Sequence, residues 1–506
     1  MHKIIIVGGG TAGWLTALYL NKIAFDSEIT LVESETIGIL GAGEGSAALF
    51  PNFLWELGID ENDFIKNTGA TFKIGINFSN WRSDGVSYFH PFKSYGHLDP
   101  NVNNIVGSVV RDLGLTNDGT EYGYLNLKAN SPDSPVVLPA DILALRNKTP
   151  FSKVDGFMAT LTKYSYHFDA RLVASYLRKI AEERGVKRIE GKVEAIDGIP
   201  IKKIQVSGEM MECDFVFDCS GFHKNIIKHM PSKWISFKDK LKVDSALPFF
   251  LDGEKEFTKS YTEARAMNYG WMWQIPLQHR YGCGYVFDSS YISVEDAKKE
   301  IEEFIGKPVT FNNVINFDAG RYDKVFTHNC IAIGLSANFL EPLEATAINT
   351  IIEQLLRISK NMIENPNDLL RDEYNKSVAE IVDDISDTIH LHYLTDRTDT
   401  EFWRDYDKTT VKSYALAQKL TNWKTRLPNN FDAIRKSNTF SLLSQFIIAS
   451  NLHPDLINKE LVKKENARYD LDNKLQFWKS TYQHQVDNIL NFAIDHKEYL
   501  DKLNEQ

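Results

Sequence analysis

Gly8, Gly10 and Gly13 stand in the spacing G-x-G-x-x-G, and Glu33 follows the last of them by 20 residues. Glycines so spaced allow a tight turn and let backbone amides come close to a pyrophosphate. The helix they open, with Thr11 and Ala12 in its first turn, offers the positive end of its dipole to the same anion. Glu33 holds the place of the acid that accepts ribose hydroxyls. Alone the pattern is a weak signal, and a glycine-rich turn in a sheet protein is the plain alternative. Here its surroundings are complete. "KIIIV" (3–7) has the look of a buried strand, "LTALYLNKIA" (15–24) of an apolar-periodic helix and "EITLVE" (28–33) of a second strand. Together they make a βαβ unit, which requires a parallel sheet. Two later stretches extend the argument. "DFVFDCSGF" (214–222) is an apolar strand ending in Asp218, and "NCIAIGLSANFLEPLEATAI" (329–348) is a strand, a turn at Gly334 and Leu335, and a helix start. Such a late return brings amides toward a ribityl chain and flavin ring. An NAD enzyme does not need it, so FAD is the favoured dinucleotide.

Other residues have side chains suited to chemistry. In "GWMWQIP" (270–276) alternate residues of a strand would face one side, so Trp271 and Trp273 form one aromatic wall, closed by Pro276. Half of a sheet's core and a barrier beside something reactive both account for it. Lys73, in "TFKIGI" (71–76), lies on an otherwise apolar strand. A buried charge there must be paired or used; composition alone points to a surface lysine. Glu344, in "EPLEATA", falls near a helix start, where a glutamate is also stabilised by the dipole. His390 and His392 in "HLHY" have no companion ligands and read as structural, so no metal is expected.

The elements that must position these residues belong to a chain of 506 residues with net charge −11 and four cysteines. The acidic balance argues against nucleic-acid binding and against an anionic membrane surface. Cys213, Cys219, Cys283 and Cys330 include no C-x-x-C pair, so neither a zinc ribbon nor a disulfide framework is indicated. A strand entered at Ile4 leaves no room for a signal peptide, and no apolar run approaches the roughly 20 residues of a membrane span. A soluble, cytoplasmic protein is expected. The fold class is α/β: an FAD-binding Rossmann-like domain of the two-dinucleotide-domain monooxygenase type, discontinuous over 1–353. Substrate-side insertions are expected near 77–165 and 230–310, and a mainly helical substrate-side region over 354–506.

The chain resembles the flavin-dependent tryptophan halogenase family along nearly its full length. The pieces that carry the resemblance are "GGGTAGW" (8–14), "GAGEGS" (41–46), "TFKIGINFSNW" (71–81), "YFHPF" (88–92), "YHFDARLVASYLRKIAEERGV" (166–186), "DCSGF" (218–222), "GWMWQIP" and "FLEPLEATAI" (339–348). The resemblance implies that a halide, rather than an organic substrate, meets the oxygenated flavin and gives hypohalous acid, which then travels through an internal tunnel. Trp271, Trp273 and Pro276 would shield the flavin. Lys73 would hold the hypohalous acid or carry halogen as an N-haloamine, with Glu344 as the second catalytic residue. Thr346 and Ala347 would bind halide through backbone amides, and Ile348 would pack against the flavin. Gly43, Val193, Gly334 and Leu335 would join the cofactor contacts. His90 and Phe92 would line an aromatic substrate pocket, although a turn histidine before Pro91 is an equal reading of His90.

The sequence departs from the family in two places. The family's Ser-Thr-Gly segment is here Ala345-Thr346-Ala347, which puts strict chloride use in doubt and makes bromide or iodide the expected halide. The segment 440–454, "FSLLSQFIIASNLHP", lacks the paired tyrosines and the acid that hold free tryptophan. An indole- or phenol-like substrate is therefore expected. The resemblance further implies a separate flavin reductase, leaves a homo-oligomer open, and includes neither nucleic acid nor membrane among the partners. A hydroxylase or epoxidase of the same fold and a catalytically inactive flavin-binding protein are the alternatives.

Overall fold

In the computed structural model, residues 2–37, 43–92, 140, 143–144, 146–154, 157–252, 259–426, 432, 440, 442–453 and 491–505 are described. Most of the excursion expected at 77–165, and Pro454 at the end of the expected substrate segment, lie outside them. The chain divides into two bodies, each discontinuous: Met1–Thr71, Tyr166–Lys238 and Asn316–Asp383 make the first; Phe72–Ser165, Asp239–Ile315 and Asp384–Gln506 make the second.

The first body is built on a six-stranded sheet in the order Lys187–Glu190, Glu28–Glu33, Lys3–Val7, Phe215–Asp218, Cys330–Ala332, Phe326–Thr327. All neighbours pair in parallel except the last two. The strands are apolar runs, as a sheet covered on both faces requires; Ile4, Ile6, Leu31, Phe215 and Phe217 are inaccessible to solvent. The glycine motif leaves the carboxyl end of the central strand and opens the helix Thr11–Ile23. A second helix, Ala170–Glu183, is started by Asp169, whose carboxylate accepts from the Arg171 amide.

The second body contains a seven-stranded sheet, in which Ser245–Asp252, Arg280–Phe287, Gly270–Pro276, Tyr261–Ala266, Gly75–Ser79 and Tyr88–Pro91 follow one another. One face of it carries a core of Leu247, Phe249, Met272, Cys283, Tyr285 and Phe287, closed by Ala297 and Ile301 of the helix Val294–Ile305. Among the described residues from 354 onward most lie in helices. The stretch up to Asp383 nevertheless belongs with the first body rather than with a separate helical region. Asn375 there both accepts from the Phe326 amide (2.8 Å) and donates to the Phe326 carbonyl (2.9 Å), and the Tyr374 hydroxyl donates to the Gln354 carbonyl. No described helix is long and apolar enough to cross a membrane.

Candidate active site

The first body gathers three turns at the carboxyl ends of its parallel strands. Gly8 has φ +114°, and a Cβ there would stand 2.3 Å from the Cys219 carbonyl oxygen. A Cβ on Gly13 would stand 1.8 Å from the Gly8 carbonyl oxygen, so the helix can approach the strand only without a side chain. Gly10, the residue before the helix, has nothing within 4 Å of its missing Cβ, and no side chain caps the amides that follow. Tight packing behind and open space in front, with uncapped amides at a helix start, fit a pyrophosphate. Gly334 (φ +66°) brings the late turn against the same helix: its missing Cβ lies 3.3 Å from the Ala12 Cβ. Its amide donates to Gln354 Oε1 at 3.1 Å, and Gln354 Nε2 donates back to the Ala332 carbonyl.

Asp218 joins the second and third turns. Its buried carboxylate accepts from the amides of Ser220, Ile226 and Ile227 and from the hydroxyls of Ser220 and Ser336, at 2.6–3.2 Å. Ser336 also donates to the Gly221 carbonyl. Gly43 takes φ +82°, Leu335 sits in the short helical turn Gly334–Ser336, and Ile348 is buried in the helix Thr346–Leu355. Val193 opens a separate antiparallel sheet; two residues before it, the Gly191 amide donates to the Glu33 carbonyl at 2.8 Å.

Ahead of the helix Thr346–Leu355 the backbone is strained. Glu344 has φ 65°, ψ 7° and Ala345 has φ 54°, ψ 41°, while Thr346 returns to φ −77°, ψ −18°. Each left-handed L-residue costs about 1–2 kcal/mol, and both persist without a glycine. A left-handed residue followed by a right-handed one turns successive amides toward a common point, an anion-binding concavity. The amides that follow, at the helix start, have no side-chain cap. The Ala345 amide is itself bonded to the Pro342 carbonyl at 3.0 Å. Glu344 and Thr346 are buried, and Ala347 exposes its methyl from ordinary helical backbone. The strain thus falls on Glu344 and Ala345 and not on Ala347.

In the second body, Lys73 is 0 % exposed, and its ammonium stands 5.2 Å from the centroid of the Phe92 ring. This is the buried alternative, not the surface lysine that composition favoured. Phe92 is held by its amide, which donates to the Ile74 carbonyl at 2.9 Å. His90 is buried opposite Ile76 in the pairing of Tyr88–Pro91 with Gly75–Ser79. Gly75 makes that pairing possible: a Cβ there would lie 2.5 Å from the His90 carbonyl oxygen and 2.7 Å from the Phe89 ring. The helix Leu442–Leu452 packs against the same strand, Tyr88–Pro91.

Trp271 and Trp273 are both buried, with ring centroids 6.1 Å apart and planes inclined by 55°. Strand alternation puts them on the face opposite Met272, and therefore opposite the core beneath the helix Val294–Ile305. The register shows how room is made. Trp273 is flanked by Ala264 and Gly284, and Trp271 by Ala266 and Val286. The Trp273 ring lies over Gly284, where a Cβ would be 2.1 Å from it. Pro276 ends the strand, buried, opposite Tyr281. The pair is one wall, as the spacing predicts, and it is not part of that core.

The structure groups Glu344, Thr346, Ala347, Ile348 and the glycine turns in the first body, and Lys73, His90, Phe92 and the tryptophans in the second. Sequence reading passed over Asp218's role as a hub, Gly284 under Trp273, and Glu44. Burial, with Asp169 as a neighbouring negative charge, pushes the Glu44 carboxyl up to about 7. Only "GAGEGS" hinted at it. His390 and His392 are buried and bonded to the Thr410 hydroxyl and the Thr388 carbonyl. Among the described residues no group of three His, Cys, Asp or Glu is placed to hold a metal.

The family model described as tryptophan halogenase matches residues 3–459. The chain is 34% identical over 456 residues to tryptophan 6-halogenase SttH of Streptomyces toxytricini, covering 85% of each. It is 33% identical over 432 residues to tryptophan 7-halogenase RebH of Lentzea aerocolonigenes, covering 80% of this chain and 78% of that one. Its structure is similar to that of BrvH, a flavin-dependent halogenase from Brevundimonas sp. BAL3, with TM-score 0.80, 27% identity and 99% of both chains covered.

Proposed function

The chain belongs to the tryptophan halogenase family, whose enzymes are flavin-dependent, and from that premise we propose that it halogenates an electron-rich, indole- or phenol-like aromatic through Lys73 and Glu344. Reduced FAD, delivered by a separate flavin reductase, supplies with oxygen the oxidant that turns halide into hypohalous acid. The glycine turns hold the pyrophosphate, and Glu33 the adenosine ribose. The uncapped amides of Thr346 and Ala347 hold the halide. Trp271, Trp273 and Pro276 keep organic molecules from the oxidant.

The single observation that carries this reading is the burial of Lys73 beside Phe92. An ammonium taken from water gains little stability for the fold by being there, and in a chain of this family its use is to bind hypohalous acid. Lys73 orients the halogen against one ring carbon, where orientation supplies much of the acceleration. The halogen replaces a ring hydrogen, Glu344 accepts the ring proton, and the oxygen leaves as water. His90 and Phe92 line the aromatic's place.

Two finer points follow from departures in the sequence. Ala345 and Ala347 stand where the family has serine and glycine, so a hydroxyl is lost and a methyl gained around the halide. Chloride is the most strongly hydrated candidate and the hardest to oxidise, so imperfect contacts penalise it most; bromide or iodide is favoured. Free tryptophan is a poor substrate. The helix Leu442–Leu452, which packs beside the strand of His90, carries apolar and amide residues and no acid or tyrosine.

The test is turnover with reduced FAD against a panel of indoles, phenols and free tryptophan, with chloride, bromide and iodide in separate assays and products read by mass. Catalase and a Lys73→Ala control remove the contribution of leaked peroxide. Halogenated indole or phenol, formed faster with bromide or iodide than with chloride, is expected. A hydroxylated product without halogen overturns the reading. Efficient use of tryptophan or of chloride overturns the corresponding finer point.

A further inference from the structure

Glu33 is not free to choose its position. Its Oε1 accepts from Arg188 Nε at 2.6 Å, and both side chains are about one-seventh exposed, at 14% and 13%. The other carboxylate oxygen, Oε2, is folded over Gly9, 1.4 Å from the point a Cβ on that residue would occupy. The guanidinium is fixed in turn. Its Nη2 donates to Glu190 Oε2 at 2.6 Å and to Glu35 Oε1 at 3.0 Å, and Glu190 Oε1 accepts from the Glu35 amide at 3.0 Å. Register adds to this: Arg188 and Glu190 lie on the strand that pairs in parallel with Glu28–Glu33, Glu190 directly beside Glu33. Arg178 stands farther off, at 3.5 Å from Glu33 and 3.7 Å from Glu35.

We propose that Arg188 is a positioning residue for the cofactor's adenosine: by holding Oε1 it presents Oε2 over the glycine turn to accept from the ribose 2′-hydroxyl. A planar guanidinium suits this because it donates to several carboxylates at fixed angles, which a lysine cannot do. The arrangement also sets specificity. The Arg188 guanidinium is already engaged by Glu33, Glu35 and Glu190, so a 2′-phosphate placed here meets carboxylates rather than an unengaged arginine, whereas a hydroxyl donor is matched to Oε2.

The experiment measures competition of ADP, 2′-deoxy-ADP and 2′,5′-ADP against FAD on the full chain, for wild type, Arg188→Ala, Arg188→Lys and Glu33→Ala. A general loosening of the fold weakens ADP and 2′-deoxy-ADP together; loss of positioning removes the difference between them. Wild type should bind ADP at least fivefold better than 2′-deoxy-ADP and reject 2′,5′-ADP. In Arg188→Ala the preference for ADP should fall below twofold, as in Glu33→Ala, with Arg188→Lys between. Should Arg188→Ala not fold, Arg188→Lys decides by the same ratio. A wild-type chain indifferent to the 2′-hydroxyl overturns the proposal, and so does a preference that survives loss of the guanidinium.

Discussion

The groups proposed to work in the first body are mostly backbone: glycine turns, the amides of two helix starts, and carbonyls approached too closely for a Cβ. Those of the second are side chains held by a sheet: Lys73 against Phe92, and two tryptophans over alanines and a glycine. A backbone site depends on what is absent from certain positions, and it tolerates change elsewhere. A side-chain site depends on register, because a slip of one residue in Gly270–Pro276 would send both tryptophans to the opposite face. The comparison predicts that damage separates: changes at Lys73 and the tryptophans of the second body should spare flavin affinity and lose product, whereas changes in the glycine turns of the first should lose flavin affinity itself.

The largest effect expected is that of Lys73→Ala. Halogenated product should fall by about a thousandfold, the scale for losing a group that acts on the reacting atoms, while FAD affinity, read by fluorescence quenching, stays within about twofold. If FAD affinity fell as steeply as product, the division between the bodies would fail. The reciprocal change is Gly13→Val. With a Cβ forced to 1.8 Å from the Gly8 carbonyl oxygen, the helix must pull back from the strand. FAD affinity should drop by about a hundredfold or more, equivalent to about 2.7 kcal/mol. Undiminished FAD binding would show that the glycine turn is not the cofactor's seat.

Gly284→Ala probes the wall with less force. Its Cβ would meet the Trp273 ring at 2.1 Å, so the indole must tilt. FAD affinity should be unchanged, while the share of consumed oxygen that ends in halogenated product falls by about fivefold to tenfold, read as product formed per peroxide released. Unaltered coupling would mean that the tryptophans are packing and nothing more. The substitution is destabilising by about 1–3 kcal/mol as overpacking, so a melting curve must accompany it.

The same contrast explains how much could be read from the chain. The glycine turn was legible because the constraint that shapes it is local: Gly8 to Gly13 and Glu33 fall within one βαβ unit. The facing of Trp271 and Trp273 was legible from alternation alone. What makes room for them was not, since Ala264, Ala266 and Gly284 become their neighbours only through strand pairing. Arg188 lies 155 residues from Glu33 in sequence and meets it only because their strands are adjacent. Composition placed Lys73 at the surface, wrongly, because its burial is decided by the segments around it. The boundary at Asp383 was illegible for a related reason: periodicity marks the helix Asp368–Tyr393 but not the body against which each half packs.

The least legible feature is the turn before Thr346, where ordinary residues, Glu344 and Ala345, occupy left-handed backbone. Here a backbone site is built without the glycine that would make it comfortable, and this gives the smallest and sharpest test. Ala345→Gly should relieve about 1 kcal/mol of strain, offset in part by the greater freedom of glycine in the unfolded chain, and raise Tm by about 0.5 °C in a chain of this length. If the strain serves to hold the following amides in place for halide, the same change should raise the apparent KM for halide by about threefold to fivefold, with FAD affinity unaltered. A protein that melts higher and uses halide equally well would show that the strain is only tolerated. A rise in halide KM together with the rise in Tm would show a backbone site whose geometry is held at a cost to stability, in contrast to the glycine turn, where the same kind of site is held at none.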